Sequence, residues 1–134
     1  MTGKFVMAKD TRPEVLAWGR LAWASNPPKT GAEQLTVIEI TLAPGKGHSF
    51  HRHVGQEQVS YVVDGTIEFW IKHQMRVLGP GDSAFIEADV VHAFFNIGDS
   101  DAKLITVLGP CVGPIGYEFV DVADEAPWKN MRRR

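Results

Sequence analysis

The sequence feature that most constrains the fold is an alternation of apolar and polar side chains with a period of two residues. Successive side chains of a strand point to opposite faces of a sheet, so this period is typical of strands with one buried face. Turn residues interrupt the alternation roughly every eight to twelve positions, as expected of a sandwich or barrel. The alternating segments are 19–25, 34–42, 58–63, 66–72, 83–87, 92–97 and 103–109. We therefore predict an all-β fold of about eight to ten short strands, with no helix of more than a turn or two.

Length and composition restrict the remaining possibilities. A chain of 134 residues is long enough for one domain with a hydrophobic core and too short for two comfortable ones. A formal charge of −2 gives no reason to expect a nucleic acid partner, and no apolar run approaches the roughly 18 residues that span a membrane. The single cysteine, Cys111, excludes an intramolecular disulfide, and the N-terminus lacks the apolar core of a secretory signal. These features predict a soluble cytoplasmic protein.

Two histidines separated by one residue are the first indication of a binding site. On an extended strand the imidazoles of His51 and His53 project from the same face, where they suit a transition-metal ion. Such a pair also occurs by chance on solvated strands. The surrounding spacing is more specific: Gly45 precedes the pair by five intervening residues, and Gln58 is separated from Gly65 by six.

A second group of residues follows in the same order as in a known family. The turn at 79–82 precedes His92, and three residues separate His92 from Asn96. With both groups together, residues 34 to 108 resemble the cupin superfamily. Its first motif is Gly, five residues, His-x-His, three or four residues, Glu, six residues and Gly, and its second runs from a Pro-Gly-Asp turn to a His followed three residues later by Asn. The resemblance implies a small single-domain cupin, an antiparallel jelly-roll β-barrel that holds a metal ion, but it does not specify one activity.

Two neighbouring residues, Glu57 and Gln58, are candidates for the position of the family's carboxylate ligand. Glu57 follows His53 after three residues and leaves seven before Gly65, whereas Gln58 follows after four and leaves six. Alternation puts Gln58 on the opposite face from the large apolar residues of the strand, so we predict Gln58 as the ligand and keep Glu57 as the alternative. The predicted metal ligands are His51, His53, Gln58 and His92. They would hold one divalent transition-metal ion, Zn, Fe, Ni, Mn or Cu, and a neutral amide ligand leaves that ion a stronger Lewis acid.

The resemblance supports two classes of function. The first is a metal-dependent enzyme acting on a small polar organic molecule, a sugar acid or other oxygenated carboxylate, by isomerase, lyase or dioxygenase chemistry. The second is a non-catalytic module that binds or senses a small ligand. Glu57, Tyr61 and Glu87 are unranked candidates for a catalytic acid or base. His48 is predicted to lie on the face of Phe50, away from the metal ligands.

The chain divides into three parts on this interpretation. Residues 1–33 form an N-terminal strand region and connection, 34–110 the barrel core, and 111–134 a C-terminal extension that we expect to pack loosely. Terminal segments of small cupins often pack across a dimer, so a homodimer is predicted, with the N-terminal part contacting the partner. The tryptophans outside the matched core are assigned to such an interface: Trp18, Trp23 and Trp128.

Overall fold

The computed structural model describes residues 2–132, which form two antiparallel sheets. In this part of the chain the six-stranded sheet has the order β1–β2–β3–β10–β5–β8, and the five-stranded sheet the order β11–β4–β9–β6–β7. The strands of the first sheet are β1 (Glu14–Val15), β2 (Arg20–Ser25), β3 (Thr36–Leu42), β10 (Ala102–Gly109), β5 (Glu57–Asp64) and β8 (Ser83–Ile86). Those of the second are β11 (Val120–Asp121), β4 (Gly47–Arg52), β9 (His92–Asn96), β6 (Ile67–Ile71) and β7 (Gln74–Leu78). The predicted all-β fold is confirmed.

The alternation in the sequence becomes an alternation of burial along the strands. In β3 every second residue from Thr36 to Leu42 is buried, and in β5 the buried positions are Gln58, Ser60 and Val62. The buried side chains of the two sheets meet in one core cluster, to which Leu104 belongs on one side and Phe69 on the other. Burying a side chain of this kind contributes about 1.5–3 kcal/mol, so the core between the sheets is the main source of stability.

Helical structure is brief, as the sequence predicts. Within residues 2–132 the longest helix is α1 (Pro27–Thr30), which begins where the Asn26 side chain accepts a hydrogen bond of 3.1 Å from the Lys29 backbone N–H. Two short 3₁₀ helices cover Ala8–Asp10 and Trp128–Asn130. None of the helices described is long and apolar enough to cross a membrane.

Parts of the C-terminal extension pack against the barrel, although most of its residues are exposed, and this corrects the expectation of loose packing for those parts. Its Trp128 ring stacks at 5.7 Å on Phe50, which alternation alone would place on a solvated face. Arg132 donates a hydrogen bond of 2.6 Å to the Glu68 carboxylate and lies 3.8 Å above the Phe95 ring. The segment therefore covers the outer face of the five-stranded sheet. Arg133 and Arg134 lie outside the described residues.

All three tryptophans assigned to a dimer interface have partners within the chain. Trp23 is 9% exposed, belongs to the core between the sheets, and donates its indole N–H to Glu14 at 3.3 Å. Trp128 is part of the cluster under the C-terminal segment. Trp18 stacks on His48 beside the histidine cluster described below.

Candidate metal centre

Three histidines converge on the inner face of the barrel. His51 lies in β4 directly opposite His92 at the start of β9, and His53 follows one residue after the end of β4. One nitrogen from each ring lies within 4.8 Å of the other two. All three side chains are buried, with no more than 4% of their surface exposed. Since the ligand atoms of one ion lie within a few ångströms of each other, this spacing fits a single metal ion.

Backbone carbonyls fix the tautomer of each of these imidazoles. The Nδ1–H groups of His51, His53 and His92 donate to the carbonyls of Ser49, Glu118 and Val90 at 2.6, 2.8 and 3.0 Å. A carbonyl oxygen only accepts, so the proton of each neutral ring is on Nδ1 and the lone pair is on Nε2. The backbone thus orients three Nε2 lone pairs in the manner of second-sphere partners in metal sites.

Gln58 lies beside the three histidines and contributes an amide oxygen to the cluster. Its amide N–H donates to Ser60 Oγ at 3.0 Å, and the Ser60 hydroxyl lies 2.9 Å from that of Thr106. This bond turns the amide oxygen toward His92, where Oε1 lies 3.1 Å from Nε2. With the His92 proton on Nδ1, both facing atoms are acceptors. Two ligand atoms of one metal ion also lie about 3 Å apart, so the donor set of the chain fits a metal ion.

Burial keeps the histidines in the form that binds metal. Loss of hydration lowers the pKa of His92 from 6.5 to about 4, and it lowers the pKa of His51 well below its usual range. For His53 desolvation again dominates and lowers the pKa, opposed by the hydrogen bond to the Glu118 carbonyl. The rings are therefore neutral at neutral pH, as metal ligation requires.

A fourth histidine joins the cluster, contrary to the sequence prediction. The sequence predicts that His48 lies on the face of Phe50. In the structure its ring stacks on that of His51, with the ring centroids 3.6 Å apart. The reason is a bulge: His48 pairs with Phe94 and His51 with His92, so one strand has an extra residue between the two pairs. The extra residue brings positions three apart to the same side of the strand. Burial, followed by the charges of His53 and His92, lowers the pKa of His48 to about 3.

The cavity beside the histidines is small and mainly apolar. Its volume is about 20 Å³, room for roughly one water molecule. The lining residues are Trp18, Leu21, Ile38, Ile40, His48, His51, His53, Gln58, Phe94, Thr106, Leu108 and Tyr117. None of these described residues is an Asp, Glu, Lys or Arg. Desolvation, with a contribution from Glu14, raises the pKa of Tyr117 to about 12, so its hydroxyl stays protonated.

Sequence reasoning did not identify the aromatic part of this lining. Trp18 stacks on His48 at 4.4 Å, and Phe119 meets the same ring edge-on at 4.8 Å. Tyr117 lies 5.6 Å from His53. These residues come from segments on either side of the two motifs. The sequence pattern that could have identified Tyr117 and Phe119 is their alternation on an extended segment.

The candidate catalytic residues lie away from the cluster. Glu57, Tyr61 and Glu87 are all exposed, and Tyr61 has 47% of its surface accessible on the outer face of the six-stranded sheet. The burial pattern of β5 follows the predicted alternation, with Gln58 inward and Glu57 outward. Near Glu57 in the sequence, Arg52 forms an ion pair with Asp89 at 3.8 Å.

Comparison with known proteins assigns the greater part of the chain to one family. The family described as "Cupin domain" matches residues 38–108. Protein SchB of Streptomyces halstedii is 30% identical over 124 residues, covering 91% of this chain and 90% of that protein. Polyketide synthase CurC of Streptomyces cyaneus is 28% identical over 127 residues, covering 95% of this chain and 81% of that protein. Both similarities therefore extend beyond the two motifs into the terminal segments.

Solved structures share the fold at low sequence identity. KdgF from Halomonas sp. superimposes with a TM-score of 0.73 at 20% identity, covering 83% of this chain and 96% of that one. The polyketide cyclase RemF from Streptomyces resistomycificus gives a TM-score of 0.70 at 20% identity, covering 94% and 90%. The predicted jelly-roll barrel is confirmed.

Proposed function

Because the chain belongs to the cupin family, we propose that its histidine cluster holds one divalent transition-metal ion at the centre of an enzyme site. The proposed ligands are His51, His53, His92 and Gln58. The observation that carries the proposal is their convergence, with three Nε2 lone pairs and one amide oxygen directed at the same apolar cavity. Bound there, a divalent ion acts as a Lewis acid that polarises a carbonyl or enolate oxygen.

The cavity lining narrows the class of substrate. Beside the proposed metal ion, a polyhydroxylated sugar acid would need several hydroxyl-binding groups, and the lining described above contains mainly aromatic and aliphatic side chains. An aromatic or enolised polyketone suits these walls better, since it combines flat apolar surface with oxygens for the metal. The similarity to CurC, a polyketide synthase, and to RemF, a polyketide cyclase, supports this choice. We infer an aldol-type cyclisation of a poly-β-ketone.

The side chains of the site have defined parts in that reaction. The backbone carbonyls of Ser49, Glu118 and Val90 hold the imidazoles in position, and the apolar walls exclude water from the enolate. In the cyclisation, the carbon of an enol attacks a distant carbonyl of the same chain, a carbon–carbon bond forms, and the enol O–H proton passes to the carbonyl oxygen; loss of one water from the resulting alcohol gives an aromatic phenol. No external oxidant or reductant is required.

The test is a comparison of two substrates with metal-loaded and chelated protein. A linear β-triketone should be converted to its cyclised phenol by the metal-loaded protein, at least about tenfold faster than without protein. Chelation should abolish the acceleration, and re-addition of metal should restore it. An unsaturated sugar acid serves as the competing substrate. Conversion of the sugar acid with no effect on the triketone would overturn the proposed substrate class.

In β5 Gln58 points inward and Glu57 outward, so we predict that Gln58 and not Glu57 is the fourth ligand. Replacement of Gln58 by alanine removes the amide oxygen beside His92, so metal affinity should fall by about tenfold or more. Replacement of Glu57 by alanine is the matched control, because its exposed side chain points away, and affinity should not change. Competition titration with a chromogenic chelator measures both. A larger loss for Glu57→Ala would contradict the assignment.

A homodimer remains a prediction, and the outer face of the six-stranded sheet supports it. Val59, Tyr61, Val63 and Phe85 are exposed there, and Val59 pairs with both Phe85 and Val107. A contiguous apolar surface of this kind is typical of protein contacts. We propose that this face, together with the N-terminal part of residues 1–33, contacts a second copy. The cytoplasmic location also stays a prediction.

A further inference from the structure

The cavity beside the histidines is too small for the substrate that the site is proposed to bind. Ligand pockets generally have volumes of roughly 300 Å³ or more. The cavity here is about 20 Å³. At least one lining group must therefore move when an organic molecule enters.

Trp18 is a lining residue from a weakly paired part of the backbone. It lies in the turn between β1 and β2, closed by a hydrogen bond of 2.8 Å from Leu16 N–H to the Gly19 carbonyl. Strand β1 has two residues, both exposed, and in the described part of the chain it pairs with β2 alone. The buried segments of β3 and β10 that form the opposite wall are paired on both sides. Local opening is easiest where few contacts hold the backbone.

Among the residues described, the Trp18 side chain is held by ring contacts and by apolar packing against the core, without a hydrogen bond. Within residues 2–132 the indole N–H of Trp23 donates to Glu14 and that of Trp70 to Glu68, whereas that of Trp18 has no hydrogen-bond partner. Its ring lies nearly parallel to that of His48, at 17° and 4.4 Å, and meets Phe94 edge-on at 5.9 Å. A flat ring that took its place would recover the same stacking, so exchange of one for the other breaks no hydrogen bond of the indole.

We propose that Trp18 occupies the subsite for a ring of the substrate, and that an aromatic or enolised ring replaces it on the face of His48. The ring enters a slot bounded by His48 and Phe94, and the His48 ring separates it from the metal ligand His51, which stacks on the other face of His48. The inference rests on the proposed function, since it takes the histidine cavity to be the substrate site. The inference adds two points to the proposed function. The subsite accepts a planar fused ring, and the Trp18 side chain fills it in the free protein.

The experiment is a binding titration with β-naphthol, a fused bicyclic phenol, on the zinc-loaded and the chelated full chain. Trp18→Ala vacates the slot and should lower the Kd for β-naphthol at least about tenfold relative to wild type. Trp18→Phe leaves a smaller ring in place and should give an intermediate gain, which tests the idea even if the alanine variant folds poorly. Trp128→Ala is the matched control, because that ring stacks outside the barrel on Phe50, and its Kd should equal that of wild type.

A second readout follows Trp18 directly. In wild-type protein labelled with ¹⁵N, β-naphthol should shift the indole N–H signal of Trp18 more than those of the other tryptophans. Weaker or unchanged binding in the alanine variant would overturn the proposal, because a fixed wall would lose contacts with the ligand when truncated. The titration requires no turnover: absence of cyclase activity would count against the proposed function alone, whereas an unchanged Kd would count against the subsite alone.

Discussion

Replacement of His51 by alanine is expected to abolish stoichiometric metal binding. Wild-type protein purified without an affinity tag should contain about one transition-metal ion per chain, because the cluster offers one set of converging ligands. Loss of a second-sphere partner alone already costs about 10–100-fold in affinity, so loss of a ligand should cost about a hundredfold or more. His92→Ala should behave in the same way. Elemental analysis and competition titration measure the content and the affinity.

The effect must be separated from damage to the fold, because His51 is 1% exposed. The control is His73→Ala, which removes an exposed histidine from the turn between β6 and β7 and should leave metal content unchanged. His51→Gln retains more side-chain volume and should also lose most of the affinity. Circular dichroism then shows whether each variant keeps its strands. Wild-type metal content in folded His51→Ala would exclude the proposed centre, as would a wild-type protein that takes up no added metal.

The features of the site that the sequence predicts are those that follow from strand periodicity. His51 and His53 share a face because a single residue separates them on an extended chain, and the inward direction of Gln58 follows from the same rule. The partner strand could be identified only through the motif around His92, which lies far away in the sequence. Local pattern and family spacing together therefore place the histidine cluster before any coordinates are known.

The remaining features depend on pairing between distant segments. His48 enters the cluster because of a bulge, and a bulge is a mismatch between two strands that neither strand reveals alone. Trp18 reaches the cavity through the turn between β1 and β2. Phe50 is buried on the outer face by Trp128, so the alternation of β4 does not predict which face is solvated. In the cavity, Trp18 and Tyr117 from the terminal segments add aromatic rings to the apolar wall that the barrel strands form.

Acidification is expected to destabilise the metal-free protein strongly. The folded-state pKa values of His48 and His92 are lowered to about 3 and about 4, whereas both groups titrate near 6.5 when unfolded. Below pH 6.5 the unfolded chain therefore binds more protons than the folded chain, so the free energy of unfolding falls as pH falls. The contribution is fully present above pH 6.5 and is lost progressively between that value and the folded pKa values. The slope approaches about 1.4 kcal/mol per pH unit for each group.

Urea unfolding in the presence of a chelator, from about pH 7 down to about pH 4, should therefore show a loss of several kcal/mol, a large part of the typical stability of a small domain. His48→Phe keeps a ring between Trp18 and His51 but cannot titrate, so its stability should fall less steeply with acid. His73→Phe, at an exposed turn, serves as the matched control and should follow the wild-type curve. A wild-type stability that stays level across this range would mean that the unfolded chain binds no more protons than the folded one, and that the cluster is not held neutral by burial.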